Sequence, residues 1–521
     1  MIENKLKSFF LDKRNLYVLC SILIFSVLAH IYRWTNTIFT HDSLQVYQND
    51  FHWQISLGRY LQHVYLKIRG PITAPFLVSV IAVFFLILSA ILIVKILDMK
   101  SPLLIVMLCG ALATYSALTA LHALFLPWLD VFMLGLLFSV FAVYTWAKWK
   151  YGWIISAFSL TVAMALYPVF AESAITLCVL YLIKKSLRGT NVRDILKKIL
   201  FALIFMIVSG LLYYGGWQIA MAITSVQPDT TSHSITALNT LTLANIPALF
   251  WNTYKSFFLN ILRPDTFHSA LIGICKSILL VLSFGPLIYY IKKSKLRVFL
   301  IIGVILLPFC MNFVYLLSGG NLYSYMTYPY VFFYVYVIMM FDSFLEGSSE
   351  RVTATSKKAV KAVLAVLFFV ILFNNTIYSN QVYLQKNLKE QATLSVMTRV
   401  IDRIETTEGY VPGQTEVVLV GDLNQAQINV KRPGYDFPPL IELHPYGTTY
   451  YGTYLGYFRN ILGYSINLGP QSLSEEYANN PEVKAMPAFP NNGSCRIIDG
   501  RMIIKLSDDM YLQQNEDPFT D

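Results

Sequence analysis

Apolar residues do not alternate along most of this chain; they run. Stretches long and greasy enough to cross a ~30 Å hydrocarbon layer as helix recur near residues 16–33, 73–94, 102–121, 128–147, 152–169, 170–183, 199–222, 269–291, 297–317, 324–341 and 360–378. The pattern predicts about eleven transmembrane helices, mainly α and polytopic. The shortest pair meets around Tyr167–Glu172, where Pro168 predicts a broken helix of the kind membranes tolerate where backbone lines a cavity. The first run follows a basic segment as a signal peptide would. It is full membrane length with no small-residue cleavage site after it, and so reads as an uncleaved first span.

Between the first two runs the pattern changes. In FTHDSLQVYQNDFHWQISLGRYLQHVYLK (39–67), Asp42, Gln45, Asn49, His52, Ser56, Arg59 and His63 recur at intervals of three and four, and Lys67 continues the series. Leu44, Tyr47, Phe51, Ile55, Leu61 and Tyr65 form an apolar series beside it. This spacing predicts one amphipathic helix over about 43–68, lying in the interface plane of the membrane. Lys and Glu are what usually fill a solvated face. Here the stripe offers a carboxylate, amides, imidazoles and a guanidinium, which are groups that bind and catalyse. Asp42 stands where the first span has just ended, at the mouth of any cavity among the spans, where a carboxylate is a functional candidate by default.

Past residue 378 the runs stop. EVVLVGDLN and RMIIKL read as short strands, and the tyrosine-rich PGYDFPPLIELHPYGTTYYGTYLGY as turns. The division is therefore a membrane domain over 1–378 and a small α/β domain over 379–521.

Composition agrees: 56% of the 521 residues are hydrophobic and 13% charged, against about 25% charged in soluble domains. Residues 379–521 carry 11 Lys and Arg against 17 Asp and Glu, leaving 29 against 13 in the rest of the net +10 chain. A basic membrane part beside an acidic tail argues for cytoplasmic loop charge and against a nucleic-acid partner. With eleven spans every basic cluster falls on one side, which predicts a cytoplasmic N-terminus and an extracytoplasmic tail. The six cysteines are scattered without a CxxC or Cys/His cluster, so neither a disulfide framework nor a metal site is suggested.

An aspartate just after the first span, a following interfacial helix and many further spans together resemble the GT-C superfamily of membrane glycosyltransferases. The Gly58–Arg59–Tyr60 step, the length and the terminal outer domain are similar to the serotype-converting O-antigen glucosyltransferases and their cell-wall relatives. The resemblance covers the layout of the whole chain, with its specific motifs in residues 41–60. It implies a GT-C-type helical bundle that moves a hexose, glucose by analogy, from an undecaprenyl-phosphate carrier to a cell-surface polysaccharide. The lipid-linked sugar would be substrate, with no cofactor. The family often shows an acidic pair where this chain has His41–Asp42, and Tyr-Gln where it has Tyr167–Pro168.

The chemistry so implied needs a base for the acceptor hydroxyl, met by Asp42, and a cation for the departing phosphate, met by Arg59. A second acid is left among Asp50, Asp130 and Glu172, and Arg263 is a further phosphate candidate, with headgroup anchoring as its other reading. His41, His52 and Tyr167 are added as cavity residues. On a continuous helix Asp42 and Arg59 would stand about 25 Å apart. A transporter or flippase of polyprenyl-linked glycans is the alternative; it would carry ionisable groups at mid-membrane and two related halves, neither of which is seen.

Overall fold

With no water to satisfy peptide groups inside a bilayer, a chain this apolar must bond its backbone internally, and helices do so. The computed structural model describes residues 12–40, 44, 51–70, 74–229, 246–262, 270–318, 320, 322–347, 353–426, 448 and 451–509. These divide into two compact units: one of residues up to Trp34, Asp50–His122 and Trp128–Asn380, the other of Thr35–Asn49, Ala123–Pro127 and Gln381–Asp521.

The first unit is helical. Helix α1 (Lys13–Thr35) is followed by two short helices, α2 (Phe51–Ser56) and α3 (Tyr60–Arg69). Then come α4 (Pro75–Leu97), α5 (Pro102–Thr114), α6 (Ser116–Leu124), α7 (Leu129–Lys148), α8 (Gly152–Leu166), α9 (Phe170–Leu187) and α10 (Val192–Thr224). The series ends with α11 (Ile246–Leu262), α12 (Ala270–Lys293), α13 (Arg297–Met311), α14 (Phe313–Leu317), α15 (Phe332–Gly347) and the long α16 (Ala354–Glu405). Eight stretches of helix among the described residues are long and apolar enough to cross a membrane. Of the remaining expected spans, α8 and α13 are shorter, at 15 residues each, and α9 carries Glu172, Lys184 and Lys185; α8 and α9 part at Tyr167–Val169, beside Pro168, and the run over 297–317 is interrupted at Asn312. The mainly α, polytopic class predicted from the pattern is what the chain adopts.

Packing inside this unit relies on small and hydroxyl side chains, which let membrane helices approach closely. Ser156 on α8 donates to Ala142 O of α7 at 2.6 Å and shares a hydrogen bond with Thr145 at 2.8 Å. A Cβ on Gly135 of α7 would come 3.1 Å from the Phe170 ring of α9. The outward sides of α10, α12, α13 and α16 carry exposed Leu211, Ile219, Val281, Ile305, Val366 and Phe369, as a lipid-facing surface must.

Between α14 and α15, Tyr328 and Tyr330 are buried, and Tyr328 donates to Leu112 O at 3.0 Å. Helix α16 contains the last apolar run, 360–378, and continues unbroken to Glu405.

In the second unit, strands β1 (Glu416–Val420), β2 (Asn467–Leu468), β3 (Cys495–Ile498) and β4 (Arg501–Lys505) form one sheet in the order β2-β1-β4-β3. β1 runs parallel to β2 and β4, and β3 antiparallel to β4. The run of buried residues along β1 and β4 marks a sheet covered on both faces. Val417, Leu419, Met502 and Ile504 pack on one side with Met397, Val400 and Leu44. Val418, Val420 and Ile503 pack on the other with Tyr477 and Val483.

Candidate functional site

The amphipathic stretch is not one helix. α2 ends at Ser56, Gly58 takes φ 80°, and the chain restarts as α3. Gly58 N–H donates to Ile55 O at 2.9 Å and Arg59 N–H to Gln54 O at 2.8 Å. These are the two bonds of a helix terminated by a left-handed glycine. Because the chain turns at Gly58, the three-and-four rhythm read through residues 56–63 does not correspond to one face. The inward side of α3 is instead Gln62 and Leu66, both buried, while Lys67 is exposed.

That inward side ties α3 to the helical bundle at polar points. Gln62 donates to Leu166 O, at the end of α8, at 2.7 Å. Tyr65 OH donates to Asp130 Oδ2 at 2.9 Å, and Arg69 Nε lies 3.0 Å from the same oxygen. Burial, together with the Asp130 carboxylate, raises the Tyr65 phenol, so it stays a donor. Asp130, in the first turn of α7, is wholly buried and accepts from its neighbour Val131 N–H at 3.0 Å. Asp130, offered by the sequence as a second acid, is thus engaged by a guanidinium and two hydrogen-bond donors. It is the anion of a buried pair. Arg69 and Tyr65 were not singled out from the sequence; the i, i+4 spacing of Tyr65 and Arg69 was the available signal, but their partner lies 65 residues from Tyr65.

Arg59, at the start of α3, has a different setting. Its guanidinium carbon lies 4.9 Å from the centroid of the Tyr167 ring, and Nη1 donates to Gln54 Oε1 at 3.4 Å. Tyr167 is buried as the residue that ends α8, packed against Phe132 and Phe170. The structure thus joins two of the expected site residues, Arg59 and Tyr167, through a cation–π contact. Among the described residues no carboxylate pairs with Arg59.

Glu172 is buried in the first turn of α9. Its Oε1 accepts from Phe313 N–H at 2.7 Å, at the interruption between α13 and α14, while Oε2 has no hydrogen-bond partner among the described residues. Asn312, in the same interruption, donates to Thr253 O at 2.8 Å on α11. Glu172 does not face water; it caps a helix start. His122, which flanks the α6–α7 link, stacks on His30 with ring centroids 4.0 Å apart, both buried. His52 is exposed on α2.

His41, Asp42, Asp50 and Arg263 lie outside the described residues. Next to them in the chain, Leu44 is buried in the core of the second unit and its carbonyl accepts from Asn460 at 2.7 Å. Among the described residues no three His, Cys, Asp or Glu gather as a metal site would require.

No curated protein matches the chain. The family model described as glucosyl transferase GtrII matches residues 31–346, from the end of α1 to the end of α15, and so takes in every residue of the α3 site. That is more than half of the 521 residues, and the chain therefore belongs to the GtrII glucosyl transferase family, as a membrane glucosyltransferase.

Proposed function

We propose that the protein moves glucose from a polyprenyl-phosphate carrier to a cell-surface polysaccharide on the outer side of the membrane, with Asp42 as general base and Arg59 as the contact for the donor phosphate. The observation that carries this reading is the contrast between two arginines on one helix. Arg69 is neutralised by Asp130, whereas Arg59 is held in place by a ring and an amide, with no carboxylate beside it among the described residues. A half-buried guanidinium without an anion suits an anionic ligand, and its planar fork matches phosphate oxygens. The carrier's tail would lie along the apolar surface of neighbouring helices.

The positions of the cations support the outer face. Antiparallel α7, α8 and α9 place Asp130, Tyr167 and Glu172 at one end of the bundle and Lys148, Lys184 and Lys185 at the other. Basic ends favour the cytoplasmic side, which supports an outer position for the Arg59 end. An Asp base there needs a hydroxyl acceptor and no cofactor.

Asp42→Asn should abolish glucosyl transfer by purified protein while its unfolding temperature stays that of the wild type. Transfer at the wild-type rate by Asp42→Asn removes the base assignment. Arg59→Ala should weaken the apparent affinity for donor by roughly 10- to 150-fold, the worth of a hydrogen bond to a charged group, with Arg59→Lys in between. An unchanged donor KM in Arg59→Ala removes the phosphate assignment.

A further inference from the structure

At the end of the bundle opposite Tyr167, separate chain segments bring cations to one carboxylate. Asp98 ends α4 in the left-handed conformation, φ 45°. Its Oδ1 lies 3.2 Å from Lys100 Nζ and 3.6 Å from Arg14 Nη1, and its Oδ2 accepts from Arg188 Nη2 at 2.7 Å. Lys148, at the end of α7, faces Asp98, Lys185, Arg188 and Arg14. Lys95 faces Arg14 and Asp12, and Asp12 is itself bonded to Arg14. Among the described residues, five cations (Arg14, Lys100, Lys148, Lys185 and Arg188) therefore gather about Asp98, with Asp12 bonded to Arg14 and the Asp342 carboxylate accepting from Lys100 N–H.

Burial alone would raise the Asp98 carboxyl, but the bonds from Arg188 and Lys100 outweigh it and hold the group down to about 2. The surplus positive charge is accessible: the side chains of Arg14, Lys100 and Arg188 remain 36%, 48% and 42% exposed. Trp149 and Tyr151, next in the chain to Lys148, are 46% and 65% exposed. Aromatic rings in such a position mark the headgroup level of a bilayer. Cations gathered at that level meet lipid phosphate before any soluble anion.

We propose that this cluster is a binding site for the headgroup of an anionic phospholipid, its phosphodiester held by Arg14, Lys100, Lys148, Lys185 and Arg188 around Asp98. Asp98 spaces the cations and keeps their mutual repulsion tolerable in the absence of lipid. The lipid completes the neutralisation that the neighbouring carboxylates leave unfinished. The site is separate from the α3 site and stands whether or not Arg59 binds donor phosphate.

The test uses the full chain in nanodiscs of mixed phosphatidylglycerol and phosphatidylcholine, with bound lipid counted by native mass spectrometry. The wild type should retain phosphatidylglycerol in preference. Lys148→Gln with Lys185→Gln should lower that retention roughly fivefold per charge removed. Asp98→Asn should raise it, since one more cation is left unneutralised. Equal retention of the two lipids by the wild type overturns the proposal, as does undiminished phosphatidylglycerol in the Lys148→Gln/Lys185→Gln protein. Where that pair fails to fold, Asp98→Asn decides alone, and unchanged or weaker retention in it has the same force. Displacement of the lipid by millimolar inorganic phosphate would show a site for free phosphate and also overturn the headgroup assignment.

Discussion

Arg69→Ala should destabilise the protein by about 3–5 kcal/mol, the cost of stranding one partner of a buried ion pair. The Asp130 side chain is wholly buried and that of Arg69 only 7% exposed, so water cannot replace the missing cation. Tyr65 OH and Val131 N–H would remain on the carboxylate, two neutral donors in place of a charge. Removing both members, as in Arg69→Met with Asp130→Leu, should recover most of the loss, because an apolar pair of similar volume has no buried charge to strand. Unfolding of Arg69→Met, Asp130→Leu and the double variant beside the wild type in detergent forms a complete cycle. Additive losses would mean that the two side chains do not act as a pair. The cycle also isolates stability from chemistry: the double variant keeps α2, Gly58 and Arg59 unaltered.

Gly58→Ala should be as severe by a different route. A Cβ at φ 80° costs about 1–2 kcal/mol in backbone strain, and here it would run into the hydroxyl of Tyr213. Tyr213 has little room to retreat, being buried between the rings of Tyr60 and Trp217, 6.0 and 6.5 Å away by centroid. Overpacking of this kind adds about 1–3 kcal/mol. Gly70 provides the control. It ends α3 at φ 92° with nothing within 4 Å of an added Cβ, so Gly70→Ala should show the strain alone. The difference in unfolding between the two variants reads the Tyr213 contact directly, and equal losses would show that Tyr213 yields at no cost. Gly58→Ala should also depress transfer, because Arg59 is the next residue and its N–H closes the α2 terminus.

What could be read in the chain follows from how far each signal reaches. Span hydropathy averages over some 20 residues, so the long helices α1, α4, α7, α10, α12 and α16 stand out. Strands β1 and β4 were legible as EVVLV and RMIIK. β2, two residues long, has no periodicity to detect, and β3 carries exposed Arg496 and Ile497 between its buried ends. The break at Gly58 was hidden because helical spacing on either side happens to stay in step, and only the sign of φ reveals it. The partners of the buried carboxylates were hidden more deeply. Asp130 finds Arg69 and Glu172 finds Phe313 N–H across tens of residues or more, and nothing local in either segment names the other. Arg59 and Tyr167 were each singled out on chemical grounds, but their contact belongs to the tertiary structure.

Helix α8 has a consequence for the medium around the site. Its 15 residues amount to roughly 22 Å, against a hydrocarbon layer of about 30 Å. With its Gly152 end level with Lys148 and Lys150, the other end stops short of the far headgroups by several ångströms. The Tyr167 turn is thus recessed below the membrane surface, and the guanidinium over its ring is drawn down with it. Such mismatch is met by local thinning of the bilayer or by water entering the dimple. An anion that settles on Arg59 would sit in that dimple, partly stripped of its hydration, where each remaining donor counts for more than it would in open water. The thickness of the host membrane then becomes a variable of the reaction in its own right.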